Sequence, residues 1–236
     1  MKVVVLTRNP EGIASRFLAR RPGPVILDEG GASGRDLGRK LRKLRRVGVT
    51  AAPVGLSLRR VYATAGAGPP LDDVATEIVR VPTLNGDDAR AALRRLDADI
   101  AVSLDNTIIR EDTFALPPHG TINVHHGAVP DYRGGPPVFW ELLDGRDKVG
   151  FTIHLIDAGI DTGPVLARGE VPIERRRTLG ETLTATIPRL HEASLDALER
   201  VLDEGRFEGE PQPARGRHRT TPTLRDYLRV RKAVHQ

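Results

Sequence analysis

The sequence has no cysteine, few aromatic residues and no long apolar run. The absence of cysteine among its 236 residues excludes a disulfide framework, a zinc finger, an iron–sulfur site and a thiol nucleophile. Aromatic side chains make up 4% of the chain, and only Tyr227 lies among the basic residues at 215–232, which gives no series of interleaved aromatics to stack nucleic-acid bases. No apolar stretch approaches the roughly 20 residues needed to cross a bilayer. The apolar run at residues 3–6 is too short for a signal-peptide core, so we expect a cytoplasmic protein without a membrane partner.

The charge balance is only mildly basic. Lys and Arg number 36 and Asp and Glu number 31, which gives a formal net charge of +5. The most basic segment, between Arg35 and Arg46, has a helical pattern, and we interpret its charges as a solvated face, with a phosphate-rich ligand or tRNA as the alternative. Nucleic acid is therefore not the partner we expect.

Strand-like and helical patterns alternate along most of the chain. Apolar runs of strand length are typical of strands buried on both faces of a parallel sheet. The predicted strands are residues 2–7, 24–27, 77–81, 99–104, 121–125, 149–157 and 164–172. The predicted helices include residues 87–96 and 179–202, and an Ala/Gly/Pro-rich loop is predicted at residues 62–75.

The fold class that this alternation predicts is α/β, with a doubly wound, mostly parallel Rossmann-like sheet and a short C-terminal extension. We divide the chain into a catalytic domain at residues 1–203 and a basic, Pro-rich tail at residues 204–236 with a short helix at 224–230. The tail is interpreted as solvated or packed on a second subunit, which would make a homodimer. A dinucleotide site is disfavoured because no G-x-G-x-x-G follows the first strand.

Two polar side chains end the predicted strand at residues 121–125. Since side chains alternate along a strand, Asn123 and His125 face the same side. Ligands bind beyond the carboxyl ends of strands in open parallel sheets, so an amide and an imidazole meet at the usual place for a site. A satisfied structural pair remains an equal alternative on these residues alone. A metal site is the weaker interpretation, because the adjacent His125 and His126 diverge and no HExxH spacing supports them.

Two loops follow this strand. The loop at residues 130–140 is rich in glycine and proline and carries Arg133 and Trp140, which suits the wall of a pocket. The loop between the last two predicted strands carries two acids. Asp161 lies among residues that would otherwise be buried, so we expect it to have a specific partner, such as an imidazole at the end of the sheet. Asp157 is typical of a turn-forming side chain.

These residues occur in an order that closely resembles the folate-dependent formyltransferases. That family includes the methionyl-tRNA, glycinamide ribonucleotide and sugar N-formyltransferases. The resemblance is dense over residues 103–166 and is one of architecture only over the first hundred residues. The matching motifs are Asn123-x-His125, Pro130, Arg133-Gly134, Pro137, Gly150-x-Thr152-x-His154 and Asp161-x-Gly163.

The resemblance implies transfer of a formyl group from the co-substrate N10-formyltetrahydrofolate to a primary amine, with no metal. Asn123 would donate a hydrogen bond to the developing oxyanion, a donor whose loss typically costs about 3 kcal/mol of barrier. His125 would act as a base or electrostatic donor, and Asp161 would orient it and raise its pKa, or relay a proton. Which of the two accepts the amine proton stays open. The residues implied for the folate are Ser103, Asp105, Asn106, Ile108, Ile109, Asp157, Gly159 and Ile160.

The sequence differs from two of the three subfamilies, and these differences narrow the class of acceptor amine that the resemblance implies. In the first loop, Pro10 lacks an amide hydrogen and Glu11 would repel the phosphate of glycinamide ribonucleotide. The tail is too short for the further barrel-like domain of methionyl-tRNA formyltransferases. The motifs resemble the sugar N-formyltransferases most closely, which implies a small-molecule amine, on a nucleotide-linked sugar or a specialised metabolite. The residues implied for this substrate are Arg8, Arg133, Gly134 and Trp140.

Two alternatives to this acceptor class stay open. One is an enzyme of the methionyl-tRNA or glycinamide ribonucleotide type. The other is a protein of the same fold that binds folate or RNA without turnover. Folate binding with no amine-dependent turnover would favour the second, and RNA binding that weakens steeply with salt would favour its nucleic-acid form.

Overall fold

The structure, a computed structural model, describes residues 1–30, 52–106, 108–213 and 216–234. The predicted basic helix between Arg35 and Arg46 lies outside these residues. Among the helices in the described ranges, none combines the length and the apolar character needed to span a bilayer.

A mostly parallel, seven-stranded sheet forms the centre of the described chain. Its strand order is β3-β2-β1-β4-β5-β7-β8; the first five strands are parallel, and β7 and β8 are antiparallel to their neighbours. The strands are β1 (Val3–Thr7), β2 (Pro24–Asp28), β3 (Glu77–Val81), β4 (Ile100–Leu104), β5 (Thr121–His125), β6 (Arg133–Gly134), β7 (Lys148–Leu155), β8 (Val165–Pro172) and β9 (His218–Arg219). The predicted fold class is confirmed, with β6 and β9 forming a separate two-stranded pair.

The helices complete two apolar cores, one on each face of the sheet. Alternate residues of β1 supply the two cores, with Val5 in one and Val4 and Leu6 in the other. The helices are α1 (Ile13–Arg20), α2 (Ala52–Gly66), α3 (Leu71–Val74), α4 (Asp87–Arg95), α5 (Glu111–Phe114), α6 (Phe139–Leu143), α7 (Leu179–Glu204) and α8 (Leu224–Val234). Both faces of the parallel strands are therefore covered, which explains their continuous apolar runs.

The chain reverses direction across the sheet between β1 and β4. It runs outward from β1 to β3 and then returns to add β4 and β5 on the other side of β1. Such a reversal opens a crevice beyond the carboxyl ends of the strands, where ligands bind in this class of fold. Asn106, just after β4, spans it by donating from Nδ2 to the carbonyl oxygen of Leu6 at 2.6 Å.

The loop predicted at residues 62–75 is wrong in its first part and again where α3 (Leu71–Val74) forms. Residues 62–66 are helical and end α2, which packs on α7. Val61 and Tyr62 lie against the apolar core. Alanine is the best helix former, so the local composition permits a helix until the Gly-Pro-Pro at residues 68–70, and tertiary packing decides the outcome.

The segment after α7 packs on the rest of the protein. The short helix predicted at residues 224–230 is present as α8, extends to Val234 and buries Val230 in the same core as the sheet. β9 pairs with β6, and Glu210 forms a backbone bridge with Val165. The basic side chains Arg217, Arg225 and Arg229 are exposed, as predicted for a solvated tail, whereas Arg219 packs within the described chain with 13% of its side chain exposed. The division into two domains stays a prediction.

A capping box begins α7. The Thr178 hydroxyl accepts the backbone N–H of Glu181 at 3.2 Å, and the Glu181 carboxylate accepts that of Thr178 at 3.3 Å. Thr178→Ala should lower the free energy of unfolding by about 1 kcal/mol, measured by urea denaturation. Thr184→Ala, an exposed position on the same helix, is the matched control and should cost nothing, because alanine favours helix. Equal losses in the two variants would show that the cap does not stabilise the protein.

Candidate active site

Asn123, His125 and Asp161 meet at the carboxyl end of β5. The first two share one face of the strand, and the loop between β7 and β8 brings in the third. Nδ1 of His125 lies 3.4 Å from Oδ2 of Asp161, and Nδ2 of Asn123 donates to Oδ1 of Asp161 at 3.5 Å. The structure thus brings together the three residues predicted to carry the chemistry; their roles remain a proposal.

The Asp161 carboxylate is held by the backbone around it. Its φ of 52° lies in the left-handed region, which aspartate tolerates better than most residues. The N–H of Gly134 donates to Oδ2 at 2.8 Å, and Nε of Arg133 donates to the Asp161 carbonyl at 3.1 Å. Burial alone would raise the pKa of this carboxyl, but the neighbouring imidazoles, His154 first, and the backbone N–H lower it to about 2. Asp161 is therefore a fixed negative charge at neutral pH.

The His125 imidazole is neutral at neutral pH, and one of its ring nitrogens already makes a hydrogen bond. Its Nε2 lies 2.6 Å from the carbonyl oxygen of Tyr132, so Nε2 carries the hydrogen and Nδ1 is the nitrogen left able to accept a proton. Burial lowers the pKa of His125, although the Asp161 charge and the Tyr132 carbonyl act in the opposite direction. Asp161 acts to raise this pKa, as predicted, but desolvation outweighs its contribution, so the net shift is downward.

His154 belongs to the site although sequence reasoning did not assign it there. It stands opposite Asn123 in the β5–β7 register, and its Nε2 lies 3.2 Å from Nδ2 of Asn123. Because its Nδ1 lies 2.8 Å from the Leu155 carbonyl and donates to it, Nε2 is free to accept from the amide. The matching Gly-x-Thr-x-His motif was the available signal. The pairing of β7 directly against β5 is not visible in a single sequence.

A cavity of about 400 Å³ opens in front of these residues. Its lining includes all eight residues predicted for the folate, namely Ser103, Asp105, Asn106, Ile108, Ile109, Asp157, Gly159 and Ile160. Ile108 and Ile160 expose 70% and 46% of their surface, which leaves two apolar side chains at the cavity for a flat ring to cover. Oδ1 of Asn106 is buried without a partner among the described residues, so it can accept from a ligand N–H. These features fit a reduced pterin.

Of the four residues predicted to bind the acceptor amine, one lines the cavity and three do not. Gly134 lines the cavity, whereas Arg133, Trp140 and Arg8 are not in its lining over the described ranges. Arg133 is only 6% exposed, and its guanidinium donates to Oε1 of Gln212 at 2.9 Å. Trp140 is buried in α6, and Arg8 donates to the carbonyl of Gly30 at 2.6 Å. Their part in binding an acceptor stays a prediction. No group of three or more His, Asp or Glu in the described ranges could hold a metal ion.

Two stacked histidines lie next to the carboxyl end of β5. The rings of His126 and His191 are 4.8 Å apart at 23°, and Nε2 of His126 lies 3.2 Å from the hydroxyl of Ser194. Burial, with a smaller contribution from the Arg16 charge, lowers the pKa of His191 to about 4. Burial also lowers the pKa of His126 well below its usual value. Both imidazoles are neutral at neutral pH.

Acidification should therefore destabilise the protein through His191. Its pKa is about 6.5 when unfolded and about 4 when folded, so between these values the unfolded state binds more protons. This group's contribution is complete above pH 6.5 and is lost as the pH falls towards 4, by up to roughly 3 kcal/mol. Urea denaturation across this range measures the slope. His191→Leu should reduce the slope, with His126 still contributing, and the exposed control His119→Leu should leave it unchanged. Parallel curves for all three proteins would contradict the assignment.

Comparison with known proteins shows that the chain is similar to formyltransferases. A family model described as formyl transferase matches residues 58–202. A methionyl-tRNA formyltransferase of Mycobacterium sp. (strain KMS) is 37% identical over 143 residues, which cover 59% of this chain and 45% of that protein. The chain spans about half the length of the curated relatives it matches, with shares of 45% and 48% for two of them.

Solved structures resemble this chain over nearly all of its length. A sugar N-formyltransferase from Shewanella sp. has a TM-score of 0.60 at 16% identity and covers 99% of this chain and 87% of its own. The formyltransferase PseJ from Anoxybacillus kamchatkensis, solved with UDP-4,6-dideoxy-4-formamido-L-AltNAc and tetrahydrofolate, has a TM-score of 0.52 at 20% identity and covers 97% and 88%. At such identities the likeness establishes the fold.

Proposed function

The chain belongs to the formyl transferase family, and we propose that it transfers a formyl group from N10-formyltetrahydrofolate to a primary amine of a small molecule. The observation that carries this proposal is the contact of Asn123 and His125 with Asp161 at the edge of a cavity that suits a pterin. Bound there, the folate would supply an activated formyl carbon. Ile108 and Ile160 would cover its ring, and Asn106 would accept a ring N–H.

The proton chemistry follows from the two ring nitrogens of His125. Tyr132 holds the Nε2 hydrogen, so Nδ1 accepts the proton that the attacking amine loses. The imidazolium that forms lies beside the fixed charge of Asp161, 3.4 Å away, which stabilises it in the interior. The same Nδ1 then returns the proton to the departing folate nitrogen, so His125 ends neutral as it began.

Asn123 stabilises the negative charge that develops on the formyl oxygen when the amine attacks the formyl carbon. One of its Nδ2 hydrogens is held by Nε2 of His154 at 3.2 Å, which fixes the amide. The second points to Asp161 at 3.5 Å, the limit for a hydrogen bond, and exchanges this weak contact for the oxyanion. The donor is therefore oriented before the reaction begins.

The acceptor we propose is an amine on a nucleotide-linked sugar. Two sugar-modifying formyltransferases resemble the chain across 97% to 99% of its length. Methionyl-tRNA is the second candidate, and the curated relatives of that name, 37% identical over the matched part, favour it. The proposed cytoplasmic location follows from the co-substrate and either acceptor.

Absorbance-monitored release of tetrahydrofolate tests the function. Wild-type protein is incubated with N10-formyltetrahydrofolate and, in separate reactions, UDP- and dTDP-linked amino sugars, glycinamide ribonucleotide and methionyl-tRNA. Release that depends on one amino sugar supports the proposal. Release that depends on methionyl-tRNA would make methionyl-tRNA the acceptor instead of an amino sugar. Folate binding without release for any amine would favour a binding protein. Failure to bind the folate would overturn the function altogether.

A further inference from the structure

Arg219 is where the C-terminal segment meets the loop that supports the active site. Its guanidinium lies 5.2 Å from the ring centre of Tyr132 and 5.1 Å from that of Trp140, so it is sandwiched between two aromatic faces. It also pairs with Asp144, which in turn accepts a hydrogen bond from the Tyr132 hydroxyl at 3.1 Å. Only 13% of its side chain is exposed. Such a desolvated, stacked cation is fixed far more firmly than a surface arginine.

The backbone of Arg219 is fixed to the same loop. It pairs with Gly134 in the β6–β9 register. The two chains touch so closely that a Cβ on Gly134 would lie 2.3 Å from the carbonyl oxygen of Arg219. Gly134 also has a φ of 77°, which other residues rarely adopt. The register between β6 and β9 therefore leaves little freedom at this position.

Two of the residues that Arg219 contacts, Tyr132 and Gly134, hold the catalytic pair. The Tyr132 carbonyl accepts from Nε2 of His125 at 2.6 Å, and the Gly134 N–H donates to Oδ2 of Asp161 at 2.8 Å. The first contact sets the tautomer of His125 and the second sets the position of the carboxylate. A shift of the loop at Arg219 would move both together.

We propose that Arg219 is a positioning residue, which acts from the C-terminal segment to keep His125 in its Nε2-protonated tautomer with Nδ1 beside Asp161. The inference rests on the proposed function for its catalytic consequence. Its structural content, the tautomer of His125, does not depend on any substrate. The segment predicted as a solvated tail would thus be part of the active-site support.

The test compares Arg219→Ala and Arg219→Lys with Arg217→Ala. Arg217 lies two residues away, its side chain is 69% exposed, and it also faces Asp144, at 3.7 Å. Arg217→Ala therefore removes the same charge beside the same carboxylate and serves as the matched control. ¹⁵N NMR of the histidine rings reports the tautomer and pKa of His125 in the free protein. Tetrahydrofolate release reports kcat and the KM for the folate, with and without added guanidinium ion.

Both Arg219 variants should show mixed His125 tautomers and a kcat lower by about 10²-fold, with the KM for the folate unchanged. Guanidinium should partly restore kcat in Arg219→Ala, and Arg217→Ala should match wild type. A wild-type tautomer and kcat in folded Arg219→Lys would overturn the inference, even if Arg219→Ala fails to fold. If wild type itself shows no turnover, the proposed function fails while the NMR comparison still decides the role of Arg219.

Discussion

Replacing His125 with alanine should lower kcat by about 10²- to 10⁴-fold, the range that a positioned general base contributes. The reason is specific to this imidazole. Its Nε2 is occupied by the Tyr132 carbonyl, so Nδ1, beside Asp161, carries the proton transfer from the attacking amine. The amine must lose that proton as its bond to the formyl carbon forms, and a separate base is needed to accept it.

The pH profile of kcat/KM is the sharper readout for His125. Burial lowers the pKa of this imidazole, so the wild-type enzyme should keep its activity below pH 6.5 and lose it only as the base becomes protonated at lower pH. His119→Ala, an exposed histidine just before the same strand, is the matched control and should leave kcat unchanged. An unchanged acid limb in His125→Ala, or equal kcat values in the two variants, would remove His125 from the mechanism.

The position of Asn123 and His125 on the same face of β5 could be predicted, because it depends only on local rules. Side chains alternate along any strand, and polar residues that end an apolar strand require partners. The order of motifs around them then indicated the family, and with it eight of the residues that line the cavity. These inferences need only short sequence separations or one matching pattern.

The parts that could not be predicted depend on pairings between distant segments. His154 enters the site because β7 pairs with β5 in a register that places it opposite Asn123. The packing of the C-terminal residues was missed similarly, since their polar composition gives no sign that β9 pairs with the two-residue strand β6. The net pKa of His125 also required the fold, because burial, which sequence does not measure, outweighs the charge beside it.

Asp161→Asn should lower kcat by about 10³-fold or more, as expected when a catalytic histidine loses the carboxylate that stabilises its protonated form. The amide keeps the shape of the side chain and can still accept the Gly134 N–H, so the loop should hold. What is lost is the negative charge that stabilises the imidazolium. Since that charge raises the pKa of His125 against the effect of burial, its removal should lower the pKa further and move the acid limb of kcat/KM to lower pH.

Asp157→Asn separates this effect from a general disturbance of the same loop. Asp157 also lines the cavity, but its carboxylate accepts from the Gly159 N–H at 3.0 Å and the Thr162 hydroxyl at 2.6 Å and so shapes the turn proposed to hold the folate. Both bonds go to Oδ1, which asparagine keeps, so its replacement should leave the KM for the folate nearly unchanged and the acid limb where it is. If Asp157→Asn and Asp161→Asn instead changed KM and kcat alike, with no movement of the acid limb in either, Asp161 would act only through the loop. The charge at Asp161 would then have no part in holding the proton on His125.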